Sequence, residues 1–134
     1  MEYKYYIKGR HGKVFACSDN GECIVNNEYP DLTDNQCEWT AIVDTLKYIY
    51  NTFGDSERTF FICLDSKLVF KQLMSKVGSD YTGKTYSIKS QTLHPIYLEW
   101  NKLKNLLWDT TIKYLYVEDL KNIARKRLKN DNNW

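Results

Sequence analysis

Two carboxylates and a serine sit where an α/β sheet keeps its chemistry. Asp65 and Ser66 follow directly on the apolar run Thr59 to Leu64 (TFFICL), which has the length and composition of a strand buried on both faces. Functional groups in open α/β sheets collect at the carboxyl ends of the central strands, which is where the end of this run places Asp65. Glu38 falls in the first turn of a helix that Thr33 or Asp34 can cap. Ser66 has a nucleophile's hydroxyl, but no histidine–carboxylate pair is within sequence reach, and its place ahead of a helix makes it a cap.

Other chemistries are poorly supported. Cys17, Cys23, Cys37 and Cys63 form no C-x-x-C pair, and the chain has only two histidines, His11 and His94, without metal-ligand spacing. Each cysteine lies in an apolar stretch, which predicts four buried thiols and a reducing compartment. Charge is segregated along the chain. Residues 14–46 contain seven acids and no Lys or Arg, whereas Lys121, Arg125, Lys126, Arg127 and Lys129 cluster without an acid. Such a division suits an anion-binding face opposite an acidic one, and equally a solvated helix face.

The elements that would position these groups can be read from periodicity. With 134 residues, 43% of them apolar and 20 aromatic, the chain suits one folded domain, placed at residues 1–130, with a frayed tail at 131–134. No apolar run approaches a membrane span, and Met1-Glu2-Tyr3-Lys4 does not open a signal peptide, which predicts a cytoplasmic protein. Strands are predicted at Tyr3 to Lys8, Lys13 to Ser18 and Glu22 to Asn26. Turns are predicted at Gly9-Arg10-His11-Gly12 and Asp19-Asn20-Gly21. A helix then buries Ile42, Leu46, Ile49 and Phe53 and stops at Gly54. After the strand Thr59 to Leu64 comes a helix burying Val69, Leu73 and Val77, then a loop from Gly78 to Lys89. Pro95 opens a third helix with Ile96, Trp100, Leu103 and Leu107 on one side. A strand from Thr110 to Val117, apolar on both parities, and a helix from Asp119 to Lys129 burying Leu120, Ile123, Ala124 and Leu128 complete the order βββαβααβα. That order predicts an α/β fold: a mixed five-stranded sheet, 3-2-1-4-5, with helices on both faces. Trp39, Trp100 and Trp108 are expected in the core or at groove edges, and Tyr3, Tyr5 and Tyr6 in sheet packing.

Four stretches, in order along nearly the whole chain, resemble the ribonuclease H family in its compact archaeal and bacterial type I form. Thr33-Asp34-Asn35-Gln36-Cys37-Glu38-Trp39-Thr40-Ala41 resembles its T-N-N-x-A-E-x-x-A helix start, and Leu64-Asp65-Ser66-Lys67-Leu68-Val69-Phe70-Lys71-Gln72-Leu73 its D-S-x-L-V-x-x-Q-L strand end. Tyr86-Ser87-Ile88-Lys89 and Leu93-His94-Pro95-Ile96-Tyr97-Leu98-Glu99 resemble the segment leading into L-x-P-L-Y-x-E. Tyr116-Val117 and the following helix take the place of its last strand and helix. The resemblance implies a ribonuclease H-like fold and a site of four carboxylates holding two Mg²⁺ ions around a scissile phosphate.

Only two of those acids are matched, by Glu38 and Asp65. The first-strand acid is replaced by Lys8 in Tyr6-Ile7-Lys8-Gly9, and the last-helix acid by Arg125 in Ala124-Arg125. Two fixed cations then stand where metals would bind, and the resemblance implies that they pair with Glu38 and Asp65. Asp119 and Asp19 are the nearest candidates to restore an acid. The resemblance also assigns nucleic-acid contacts to Lys67, Lys71 and Lys76, and the basic cluster adds Lys121, Arg125 and Lys126.

The leading expectation is a catalytically degenerate domain that binds RNA–DNA hybrid or RNA, or serves as an interaction module, with no metal or small-molecule cofactor. One alternative is an active Mg²⁺-dependent nuclease cleaving the RNA strand of hybrids, with Glu38 and Asp65 as ligands. The other is a protein-binding adaptor that ignores nucleic acid and docks a basic partner on residues 14–46.

Overall fold

A computed structural model describes residues 2–76 and 93–127, with residues 75, 76, 93, 94 and 124–127 described in backbone only. The predicted loop from Gly78 to Lys89, Val77 and Leu128 on their helix stripes, and the tail at 131–134 lie outside the described residues, as do the side chains of Lys76, Ala124, Arg125 and Lys126.

The first three strands form an antiparallel meander, β1 (Glu2–Arg10), β2 (Lys13–Ser18) and β3 (Cys23–Glu28). Arg10 pairs with Lys13, so only His11 and Gly12 turn the chain. Both adopt left-handed backbone (φ 53° and 72°), the geometry of the tight turn that matches strand twist. The four-residue turn expected from Gly9 to Gly12 is therefore two residues long, and Gly9 belongs to the strand. At the second turn Ser18 N–H donates to Glu22 O at 2.8 Å and Gly21 N–H to Ser18 O at 3.0 Å. Gly21 takes φ 91°, and the Asn-Gly signal is realised as a three-residue loop.

Helix α1 (Asp34–Phe53) begins with a reciprocal cap. Gln36 N–H donates to Thr33 Oγ1 at 3.3 Å, and Thr33 N–H donates to Gln36 Oε1 at 2.9 Å. Thr33→Ala removes half of this box and is expected to lower stability by about 1 kcal/mol, measurable by urea unfolding. Gly54 closes the helix, its N–H bonded to Tyr50 O at 2.9 Å. Strand β4 (Thr59–Leu64) lies parallel to β1 and carries parallel β5 (Thr111–Tyr116) on its far side. The sheet order is β3-β2-β1-β4-β5, as the element order predicts. Because β5 pairs only with β4, Tyr114 is its one buried residue, although its sequence is apolar on both parities.

Helices α2 (Lys67–Lys76) and α3 (Leu93–Leu106) join α1 on one face of the sheet; α4 (Leu120–Arg127) lies on the other. The larger core holds Ile7, Ile42, Leu46, Ile62, Leu73 and their neighbours. Trp39 sits edge-on to Tyr97 (centroids 4.4 Å apart) and to Trp100 (5.8 Å). The indole N–H groups are satisfied inside it, Trp39 by Gln72 Oε1 at 2.7 Å and Trp100 by Tyr114 Oη at 3.0 Å. Trp39 and Trp100 are thus core residues, whereas Trp108 is 82% exposed just beyond α3. The smaller core packs Tyr6, Phe15, Cys17 and Cys63 under Leu120, with Ile123 at its margin. Cys17, Cys37 and Cys63 are buried as expected; Cys23, at the start of an edge strand, is exposed. Among the described residues no helix is long and apolar enough to cross a membrane.

Candidate functional site

Side chains alternate along β1, so Tyr5 and Ile7 point to the α1 face while Tyr6 and Lys8 point to the α4 face. The parallel register pairs Tyr6 with Cys63, and continuing it brings Lys8 beside Asp65, one residue past the end of β4. Lys8 Nζ lies 2.9 Å from Asp65 Oδ2, with the two side chains only 17% and 20% exposed. Ser66 then caps α2 by accepting Val69 N–H at 3.3 Å, as its position predicts.

Glu38 reaches the same place from the second turn of α1, one turn later than expected. Gly9 makes this possible. A β-carbon there would stand 2.2 Å from the Cys37 carbonyl carbon and 2.3 Å from Glu38 N, so only glycine lets strand and helix backbones touch. Gly9 N–H donates to Glu38 Oε2 at 3.0 Å. The carboxyl is 4% exposed, and its Oε1 is buried without a hydrogen-bond partner. Burial, reinforced by the charge of Asp65, pushes the Glu38 pKa up to about 8, against the opposing pull of the Gly9 N–H and Lys8. Glu38 is therefore mainly the neutral acid at pH 7. Of the expected pairings, that of Lys8 with Asp65 is present; Glu38 accepts the Gly9 N–H, and the pairing expected of Arg125 lies outside the described side chains.

These groups line a cleft of about 220 Å³ with Gly9, Arg10, Asp34, Asn35 and Leu68. Asn35 Oδ1, on the rim of that cleft, is also buried and without a partner. A wider depression of about 640 Å³ opens at the other end of the sheet around Tyr3, Lys4, Asp19 and Leu115, but its acids Glu2, Asp19 and Glu22 are all exposed. The chemistry points to the smaller cleft. Gly9 and Asn35 are site residues that the sequence does not single out; the signal for Gly9 is a glycine inside an otherwise alternating strand.

Neither rescue acid joins Glu38 and Asp65. Asp19 lies toward the opposite end of β1, where its N–H donates to Lys4 O and its carboxylate accepts the Tyr6 hydroxyl, both at 2.9 Å. Asp119 is exposed ahead of α4 and accepts a 2.6 Å hydrogen bond from Asn122 Nδ2. Among the described residues no three His, Cys, Asp or Glu side chains converge as a metal would require. Lys67 and Lys71 are exposed on α2, and Lys121 is exposed on α4. Arg125 and Lys126 follow in α4 and Lys76 ends α2, their side chains outside the description.

No protein-family model and no curated protein sequence matches the chain. Solved structures do. LC11-RNase H1, isolated from compost by a metagenomic approach, superposes with a TM-score of 0.64 at 15% identity, covering 95% of this chain and 91% of that one. The N-terminal RNase H domain of a Mycobacterium tuberculosis protein gives 0.62 at 16% identity, with 96% and 95% covered. LC11-RNase H1 in complex with an RNA/DNA hybrid gives 0.60 at 16% identity, with 90% and 89% covered. Strand order, strand directions and these superpositions agree that the chain has the ribonuclease H fold.

Proposed function

We propose that this chain is a ribonuclease H-fold module that binds RNA–DNA hybrid or RNA and does not hydrolyse it by two-metal chemistry. The observation that carries this reading is the Lys8–Asp65 ion pair at 2.9 Å. A metal bridging the strand-end carboxylates needs acidic oxygens on both sides of it. Here an ammonium occupies one side. Two unit charges about 4 Å apart at an effective dielectric near 20 interact by roughly 4 kcal/mol, so a divalent ion beside Lys8 meets about twice that in repulsion. The described residues do not fit a pair of Mg²⁺ ions, and no step is routed through them. The same pair leaves the cleft floor close to neutral.

Nucleic-acid binding is supported by exposed Lys67 and Lys71 on α2 and Lys121 on α4 and by the hybrid carried by LC11-RNase H1. Lys76 on α2 and Arg125 and Lys126 on α4 are assigned nucleic-acid contacts from sequence. The reading takes residues 1–130 as the domain. It places the protein in the cytoplasm.

Incubation with labelled hybrid in Mg²⁺ or Mn²⁺ is expected to yield no cleavage, and calorimetric titration no binding of two metals. Hybrid binding is expected at low salt and to weaken steeply as salt rises. Robust cleavage that Asp65→Asn abolishes would overturn the reading in favour of an active nuclease. No binding at low salt would favour docking of a basic protein on the exposed acids between β2 and α1. The double variant Lys8→Asp/Arg125→Asp is expected to gain metal binding, since it restores both missing carboxylates.

A further inference from the structure

We propose that Cys17 and Cys23 are a redox pair that closes reversibly into a disulfide across the β2–β3 hairpin. The two residues are direct partners in the antiparallel register, one step inside the Ser18–Glu22 closure of the turn. Opposed residues of an antiparallel pair have Cα atoms about 4.5–5.5 Å apart and side chains on one face. That separation lies within the usual Cα range for a disulfide, roughly 4.4–6.8 Å. The register shifts just beyond the pair, between Ala16 and Cys17, leaving Ile24 as an extra residue in β3. This bulge uncouples the hairpin end from the rest of the ladder and provides the local play that bond formation needs. Cys23 Sγ–H donates to Val25 O at 3.5 Å, a weak bond that a χ1 rotation towards Cys17 gives up.

The other thiols are not alternatives. Cys63 is separated from Cys17 by the whole of β1, two strand spacings or about 9–10 Å, too far to bridge. Cys37 belongs to the core on the opposite face of the sheet.

Exposure assigns the roles within the pair. Cys23 is open to solvent and Cys17 is fully buried beneath α4. The oxidant is a low-molecular-weight disulfide, RSSR. The Cys23 thiolate attacks one sulfur, forming a mixed disulfide and expelling RS⁻, which takes up a proton as RSH. The Cys17 thiolate then attacks the Cys23 sulfur, forming the internal disulfide and expelling the second RS⁻. The two protein thiols are oxidised, RSSR is reduced to two RSH, and the two thiol protons end on the leaving thiolates. The product links edge strand β3 covalently to β2, and an excess of dithiol reverses it.

Incubating the full chain with oxidised glutathione near pH 8 tests the pair. Titratable thiols under denaturing conditions are expected to fall from four to two, with an intact mass lower by about 2 Da. Glutamyl endopeptidase, cutting after Glu22, separates Cys17 from Cys23 and should leave their peptides joined until reduced. The oxidised form should melt several degrees higher than the reduced form. Cys23→Ser, at an exposed position, and Cys17→Ala, apolar at a buried one, should each form no internal disulfide. Four thiols remaining in the wild type would overturn the proposal. So would glutathione held permanently on Cys23, or a bond involving Cys37, Cys63 or a second copy of the chain.

Discussion

Gly9→Ala is expected to destabilise the protein by on the order of 4 kcal/mol or more, at the upper end of what single substitutions do. The added carbon would meet the Cys37 carbonyl carbon at 2.2 Å, the carbonyl oxygen at 2.3 Å and Glu38 N at 2.3 Å. All three are backbone atoms of a helix buried along that turn, so no rotamer change relieves the clash. Strand β1 or the start of α1 must shift, and either movement breaks the Gly9 N–H to Glu38 bond and loosens the floor of the cleft. Urea unfolding followed by circular dichroism measures the loss. A cost below about 1 kcal/mol, the ordinary range for a strand glycine, would mean that the two backbones are not in contact.

The second large effect concerns pH. Folded Glu38 keeps its proton up to about pH 8, whereas the unfolded carboxyl releases it near 4.5. Between these values the folded state binds the additional proton. Each unit of rising pH therefore removes about 1.4 kcal/mol from stability. The contribution is complete below pH 4.5 and fully lost above about 8. Glu38→Gln keeps the shape of the neutral acid and has no proton to lose. Relative to the wild type its stability should climb steadily from pH 5 to pH 8 and then level off. Groups common to both proteins cancel in the difference. Parallel pH profiles would show that Glu38 is already ionised in the fold.

What could be read in advance divides along physical lines. Strand β4 and helix α1 were legible because a continuous apolar run, a Thr33 cap and a terminal Gly54 are local signals, and local hydrogen bonds answer them. The place of Asp65 follows from the strand end, and the pairing of Lys8 with a retained acid from the resemblance to ribonuclease H. Glycine before Arg-His-Gly looks in the sequence like part of a turn. Its actual role depends on α1, some 30 residues further on, and nothing local reveals it. The same distance hid the state of Glu38: its acidity depends on how completely β1 and α1 exclude water. Cys23 was misjudged because an apolar neighbourhood in the sequence does not disclose that its strand lies at the edge of the sheet.

The parallel contact between β1 and β4 bears on how the chain finds its fold. The meander forms between neighbours and needs only short loops to close. The clasp of Lys8 on Asp65 joins residues 57 apart, with all of α1 enclosed in the loop. Closing such a loop costs entropy before any contact repays it. The cleft draws its lining from both ends of that loop, so it cannot assemble until β4 has met β1 and the loop has closed.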